Sequence, residues 1–420
     1  MASRTLPACL CLAASLLAGP AADDPKEDPA FKEEVNGAIA KGVAWLLARQ
    51  DSTGKFPGFE DSRGEVYPLG MHALCTLTVI KGGHPVDSDE VRKAFRGLAS
   101  LYGTHRNALK TYEVGSVLML LDAKYNPPEE RKRRKKPKVS EDDRKLAEEL
   151  VKWLQIKQRP DGMWRYPEGG EDLSNTQYAA LGLWAAHRMD VDINKGVVRR
   201  MMEAVLERQA ETGAKVPLIL DPAAWKRAGA ERRSTTSIEA RGWRYVREGE
   251  VTRDGPDGKE HRVEYPYSGS MTAAGVAVLG IGRDILGDKD SWLTPARDRE
   301  VRKAIWEGLA WLQANWDLND NPGQRGNWPF YWIYGLERAA RVSGVEYVGL
   351  HDWYHEGALR LLADQRPDGS WPKNQRMRPP GDQNVRWWSD QVDTCFAVLF
   401  LTKSTPEIRT PPPVITGGSD

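Results

Sequence analysis

Hydrophobic and polar positions along this chain fall into two alternating kinds of run. In the first kind, apolar residues recur at helical spacing with charges between them, as Leu146, Leu150, Trp153 and Leu154 do within Ser140–Gln158. That spacing predicts an amphipathic helix with one buried face. In the second kind nearly every position is apolar or small, as in Tyr178-Ala-Ala-Leu-Gly-Leu-Trp184 and Ala273-Ala-Gly-Val-Ala-Val-Leu279. A helix of that composition is buried all round, and its small residues let neighbours approach closely.

The two kinds pair repeatedly. Hairpin one joins Phe31–Gln50 to Leu69–Lys81, hairpin two Ser88–Tyr102 to Thr111–Tyr125, and hairpin three Ser140–Gln158 to Ser174–Arg188. Hairpin four joins Asn194–Gln209 to Thr272–Leu286, hairpin five Val301–Asn315 to Trp328–Ser343, and hairpin six Trp353–Gln365 to Asp393–Lys403. The pattern predicts an all-α (α/α)6 toroid, amphipathic helices outside and small-residue helices inside, with a central cavity at one end; an open solenoid is the rival arrangement. The toroid domain is expected over residues 31–405, after a linker at 23–30 and before a proline-rich tail at 406–420. An insertion at 213–267 interrupts hairpin four, and within it Trp243–Arg247 and His261–Tyr265 read as a β-hairpin across Asp257-Gly258. Insertions that long are more often functional than idle.

A repeated punctuation supports the division. Gln158-Arg-Pro-Asp-Gly162-Met-Trp164 recurs as Gln365-Arg-Pro-Asp-Gly369-Ser-Trp371, and more loosely as Gln50-Asp-Ser-Thr-Gly54-Lys-Phe56. The proline stops the helix, Asp-Gly makes a tight turn, and the aromatic folds back over the helix end. The glutamine side chain is then free to bond orphan backbone groups, so the unit is expected to clasp one hairpin to the next.

Composition changes the picture in three ways. Lys+Arg 60 against Asp+Glu 59 gives a net charge of +1, which offers no electrostatic case for nucleic acid. The 16 Trp suit clasps, a cavity lining, or both. Residues 1–22 read as a signal peptide, with Arg4 ahead of a short apolar core and small residues at Gly19–Ala22, so export is expected. Cys9 and Cys11 would leave with it, and Cys75 and Cys395 would remain on adjacent inner helices, about one turn apart in depth and as free thiols. The run Arg131–Lys136 is flanked by acids and reads as a solvated loop.

The Gln-x-x-x-Gly-x-Trp clasps resemble those of the terpenoid-cyclase and protein-prenyltransferase superfamily, with its prenyltransferase and squalene-oxidase repeats. The resemblance spans roughly Phe31–Lys403 and implies the toroid, but the superfamily holds cyclases, zinc-dependent prenyltransferases and thioester domains. Squalene–hopene-type cyclases protonate an alkene from an Asp-x-Asp-Asp-Thr-Ala run. The matching run here is Asp390-Gln391-Val392-Asp393-Thr394-Cys395, with Val392 at the proton donor's place. Asp390 and Asp393 are the candidate catalytic carboxylates; their alternative role is that of a helix N-cap and first-turn charge. Prenyltransferases hold zinc through Asp-x-Cys and a later His. Asp393 and Cys395 supply the first half as weak zinc candidates, but no His follows them, so no metal and no cofactor are expected. No Cys-Gly-Glu-Gln run exists for a thioester.

His72, Asp172, Tyr267, Trp328, Tyr331, Tyr334, Trp387 and Trp388 are the candidate lining of the ligand-binding cavity. His72 has an alternative role as a hydrogen-bonded structural residue, and Glu337 and Arg338 are expected to pair with neighbouring hairpins. The function these residues predict is binding of an isoprenoid-like or other apolar small molecule. An extracytoplasmic module that binds a partner protein is the alternative. A carbohydrate-active toroid using Glu168, Glu171, Asp172, Asp390 and Asp393 is the third.

Overall fold

The computed structural model describes residues 28–60, 66–127, 137–166, 172–228, 236–246, 252–254, 260–262, 265–326, 328–371 and 388–413. Its outer and inner helices alternate: α1 (Pro29–Leu47) and α2 (Pro68–Lys81), α3 (Asp89–His105) and α4 (Thr111–Tyr125), α5 (Glu141–Lys157) and α6 (Leu173–Arg188). Then come α7 (Lys195–Glu207), the short α8 (Pro222–Arg227) and inner α9 (Gly269–Leu286). The last pairs are α10 (Pro295–Ala314) with α11 (Pro329–Ser343) and α12 (Trp353–Asp364) with α13 (Trp388–Leu401). Helix starts are written in the sequence. Ser88, Ser140, Asp172, Ser268, Thr294 and Asp352 each accept a bond from a first-turn backbone N–H. Pro29, Pro68, Pro295 and Pro329 stand at positions where no N–H is needed. The first helix starts two residues earlier than its apolar spacing suggested, because Asp28 caps it.

The two kinds of helix divide as the pattern predicted. Every residue of α2 from Leu69 to Lys81 is buried, and every residue of α6 from Leu173 to Ala186, whereas α5 buries only Ala147, Leu150, Val151 and Leu154. Each inner helix packs on the next in the order α2, α4, α6, α9, α11, α13, and α13 packs back on α2 and α1. The first and last pairs therefore meet, and the chain is a closed α/α toroid rather than an open solenoid.

The clasps carry the closure. Gln158 Nε2 donates to Gly162 O at 3.0 Å and to Val197 O at 2.9 Å, reaching the next outer helix. Gln365 does the same to Gly369 O at 3.0 Å and Ala38 O at 2.9 Å, so hairpin six holds hairpin one by the device that joins three to four. The indoles lie beneath: Trp164 Nε1 donates to Leu154 O at 2.9 Å and Trp371 Nε1 to Leu361 O at 2.8 Å. Gly162 sits at φ +84, and a Cβ there would meet Arg200 O at 2.4 Å, so only glycine fits the turn.

The insertion differs from expectation. Its hairpin pairs β5 (Thr252–Asp254) with β6 (Glu260–Arg262), so the first strand lies beyond Trp243–Arg247. Those residues are diverted because Trp243 is the indole of a fourth clasp: Nε1 donates to Val205 O at 2.8 Å, while Gln209 Nε2 bonds Arg241 O at 3.1 Å and Ala304 O at 3.0 Å. Its tryptophan half shows in the sequence, where Gly242-Trp243-Arg244-Tyr245 echoes Met163-Trp164-Arg165-Tyr166, but its glutamine does not, because the whole strand pair β3 (Ala214–Pro217) and β4 (Ser237–Ala240) separates the two. Two further two-residue ladders, β1 (Phe59–Glu60) with β2 (Val66–Tyr67) and β7 (Tyr347–Val348) with β8 (His351–Asp352), brace loops. The tail packs on α11, where Ile408 N bonds Arg341 O at 3.0 Å and Thr410 N bonds Ser343 O at 3.2 Å.

Candidate functional site

First-turn residues of the inner helices converge at one end of the ring axis. Tyr112 Oη lies 2.5 Å from Ser174 Oγ, and Ser174 Oγ lies 2.9 Å from Tyr331 Oη. Tyr331 Oη donates to Gln177 Oε1 at 2.8 Å. Beside them Asn321 Nδ2 donates to Ser270 Oγ at 3.0 Å, and Ser270 also bonds Tyr245. Tyr245 is fixed against α6 because Leu173 N donates to its carbonyl at 3.0 Å. Tyr166 stands 5.8 Å from the Tyr112 ring and Tyr265 stands 5.8 Å from the Tyr245 ring. Burial raises Tyr112 and Tyr245 well above the ordinary phenol range, and the charge of Asp172 pushes the same way. These two hydroxyls stay protonated, so the tyrosines act as neutral donors and acceptors.

Below this mouth aromatic rings and one cation gather about the axis. Tyr331, Tyr334 and Arg338 share a face of α11, as spacings of three and four residues require. Phe396 of α13 packs 5.7 Å from Tyr331 and 5.5 Å from Tyr334. Arg338 is fully buried, with Cζ 4.0 Å from the Tyr334 centroid and 5.7 Å from those of Tyr178 and Tyr331. Among the described residues, none of its guanidinium nitrogens makes a hydrogen bond of good geometry, and the Tyr178 hydroxyl interacts with them. At the far end a cavity of about 40 Å³ lies between Leu77, Leu181, Trp184, Tyr334 and Leu399, with Thr405 of the tail on its wall. It has room for about one or two water molecules.

The predicted residues divide between these places. Tyr331 and Tyr334 line the axis. Asp172 caps α6 at the mouth, its carboxylate accepting from Asn175 N at 2.8 Å. Tyr267 lies under Arg244, 4.1 Å from centroid to Cζ, and Trp328 opens α11 at φ 53 and is 40% exposed. A tryptophan in that backbone region persists only where its surroundings fix it. Trp387, Glu168 and Glu171 lie outside the described residues, as do the signal-like segment and the Arg131–Lys136 run; Trp388 begins α13.

Others are elsewhere. His72 does not line the axis: it is fully buried between helices, its Nδ1 accepting from Phe56 N at 3.2 Å and its Nε2 bonded to Ala94 O at 2.8 Å. It takes the place that Thr176 and Thr394 hold under Trp164 and Trp371, so its role is to complete a clasp. Asp390 is ion-paired to Arg366 at 2.9 Å, which ties it to the clasp turn rather than to the axis. Asp393 is buried on α13. Cys395 Sγ faces Cys75 Sγ at 3.8 Å, and both thiols are free. Their depths agree more closely than expected, because the clasp acceptors His72 and Thr394 set the register and leave a stagger of only about 3 Å of helix rise. Among the described residues no group of three His, Cys, Asp or Glu side chains could hold a metal ion. Glu337 reaches the tail, accepting from Thr405 N at 2.9 Å and Oγ1 at 2.7 Å, but Arg338 joins no acid and rests on tyrosine faces instead.

Tyr112, Ser174, Gln177, Tyr178, Tyr245 and Phe396 were missed by sequence reading. The signal for three of them lay in α6, where Ser174, Gln177 and Tyr178 recur at helical spacing on one face of a helix buried from Leu173 to Ala186.

No protein-family model matches the sequence, and none of the curated proteins matches it. Solved structures do. A tyrosine-to-phenylalanine variant of the type II terpene cyclase MstE from Scytonema superposes with a TM-score of 0.51 at 14% identity, over 89% of this chain and 98% of that one. The fold is terpenoid-cyclase-like. An aspartate-to-asparagine variant of the same cyclase, in complex with geranylgeranyl dihydroxybenzoate, gives 0.50 at 13% identity over 89% of this chain and 98% of its own. The GH76A alpha-1,6-mannanase from Salegentibacter sp. HEL1_6 gives 0.52 at 9% identity over 88% and 99%. At such identities the likeness is one of architecture.

Proposed function

We propose that the chain is an exported toroid that binds an isoprenoid-like amphiphile, its oxygenated head among the first-turn residues of the inner helices. The observation that carries this is the sorting of groups along the axis. Hydroxyls and amides gather at the mouth around Tyr112, Ser174, Tyr331 and Gln177, while the rings of Tyr334 and Phe396 follow beneath. The exposed Trp328 and the rings of Tyr166 and Tyr265 at the rim suit an apolar body held above that floor. A cyclase of the same architecture in complex with geranylgeranyl dihydroxybenzoate supports the ligand class. The reading stops at binding. Val392 stands where a cyclase keeps its acid, and Asp390 is spent on Arg366.

Export rests on the sequence of residues 1–22. It is tested by fractionating cells that express the full chain and sequencing the mature N-terminus.

Binding is tested by titrating the purified protein with farnesol and geranylgeraniol while following intrinsic tryptophan fluorescence. Saturable binding that Tyr331→Phe combined with Ser174→Ala weakens about tenfold supports the reading. Equal binding by that variant would sink it. A second reading has its own observation, since the same hydroxyl and amide cluster could meet sugar hydroxyls, and a mannanase shares the architecture. Manno-oligosaccharides that bind where the prenols do not would transfer the site to that reading.

A further inference from the structure

The axis holds more hydrogen-bond donors than acceptors. Arg338 presents five N–H groups from Nε, Nη1 and Nη2; none makes a hydrogen bond of good geometry among the described residues, and the Tyr178 hydroxyl that interacts with them is neutral. Gln177 spends its carbonyl on Tyr331 Oη at 2.8 Å, and its Nε2 is without an acceptor among the described residues. The two are linked through one ring, because Tyr331 also lies 5.7 Å from Arg338 Cζ. The acid that acts on it, Glu337, is committed to Thr405. The tyrosines around the guanidinium are protonated and supply ring faces, which cushion a cation without neutralising it. A buried charge left without a counter-ion is costly, and burial of this completeness is tolerated where a partner is supplied.

The geometry points to an anion site on the ring axis, built by Arg338 and the Gln177 amide inside the cage of Tyr178, Tyr331 and Tyr334, that takes a compact carboxylate or phosphate. A guanidinium matches such oxyanions two bonds at a time, which is why it serves where an ammonium would not. The anion has two sources, a free ion or the acidic head of the ligand proposed above. Only the second depends on that proposal, and it narrows the ligand from an oxygenated to an acidic amphiphile.

The test uses the full chain, dialysed free of phosphate. Farnesol, farnesoic acid (its carboxylic acid counterpart) and inorganic phosphate are titrated into wild type, Arg338→Met and Arg338→Lys. The variants are first checked by circular dichroism, and the lysine form keeps the charge if the methionine form does not fold. A ligand-head site predicts that the acid binds wild type at least tenfold more tightly than the alcohol, that the ratio falls to about one in Arg338→Met, and that Arg338→Lys recovers part of it. Phosphate that raises the wild-type melting temperature but not that of Arg338→Met, with neither prenyl compound bound, supports the site with a free ion and removes the amphiphile reading instead. Alcohol and acid that bind alike in wild type and Arg338→Met, with no phosphate effect in either, would overturn the anion site and leave the amphiphile reading standing.

Discussion

Thr176 and Gln177 are neighbours on α6, both fully buried, and they meet opposite conditions. Thr176 faces the layer between inner and outer helices, where its Oγ1 accepts from Trp164 N at 3.1 Å and donates to Asp172 O at 3.0 Å. Gln177 faces the axis, where its carbonyl is used and its amide nitrogen is not. The Thr176 hydroxyl is fully used, and the Gln177 amide is not. Buried polar groups in folded proteins are almost always paired, so unpaired ones mark where something besides the fold is being served. The toroid separates the two by helix face: one side of α6 holds the ring together, and the other, on the proposal above, is kept for a guest.

The sharpest way to break that division is to attack the clasp side. Trp371 is fully buried at the junction of hairpins six and one, against Gly42. Trp371→Ala should cost about 3–5 kcal/mol, measured by urea unfolding, as a large buried aromatic lost from a packed core does. A change below 1 kcal/mol would show that the ring does not depend on this clasp. Gly162→Ala should come next, at about 2 kcal/mol in the same assay, because it places a side chain at φ +84 with its Cβ 2.4 Å from Arg200 O. Neither change touches the axis, so neither should alter ligand selectivity in protein that remains folded.

His72 extends the comparison to pH. Its burial lowers the imidazole below its ordinary value near 6.5, so the folded protein holds it neutral. Its contribution is complete above that ordinary value and is lost as the pH falls through the lowered one, since the protonated ring can no longer accept from Phe56 N. Unfolding free energy should therefore decline as the pH drops from about 6.5 to 5, and the decline should be smaller in His72→Gln. Identical slopes would remove His72 from the clasp.

The clasp layer was legible in the sequence because it is local. Gln158, Pro160, Gly162 and Trp164 fall within one turn and its flanks, and each obeys a backbone rule that reads the same wherever the motif stands. The glutamine of the fourth clasp escaped because a strand pair separates Gln209 from Trp243, although the Trp243 segment echoes that of Trp164. The axis was less legible for a physical reason. Tyr112, Tyr178, Tyr331 and Phe396 come from four hairpins and meet only when the ring closes, so no spacing in the chain announces them. His72 and Asp390 misled in the opposite sense. Each is a chemically capable residue near the start of an inner helix, but the helical rotation that turns Tyr331 to the axis turns His72 to the clasp layer. Arg338 was visible as a charge in an apolar helix, and its expected partner was an acid because an isolated sequence cannot show that the acid beside it is taken by the tail.

The smallest predicted effect is the most informative about that division. Gln177→Leu removes one bond to Tyr331, whose hydroxyl keeps Ser174 Oγ at 2.9 Å, and it also removes an amide that had no acceptor. Deleting a half-used polar group is nearly neutral, so stability should change by less than about 1 kcal/mol. Thr176→Val, one residue away, leaves the buried Trp164 N–H without its acceptor and should cost about 1–3 kcal/mol. The binding assay should reverse the order, with Gln177→Leu weakening the ligand and Thr176→Val leaving it unchanged in folded protein. Two adjacent residues that exchange rank between a stability measurement and a binding measurement would show that the open donors on the axis are kept for a ligand; equal costs in both assays would make Gln177 one more piece of the scaffold.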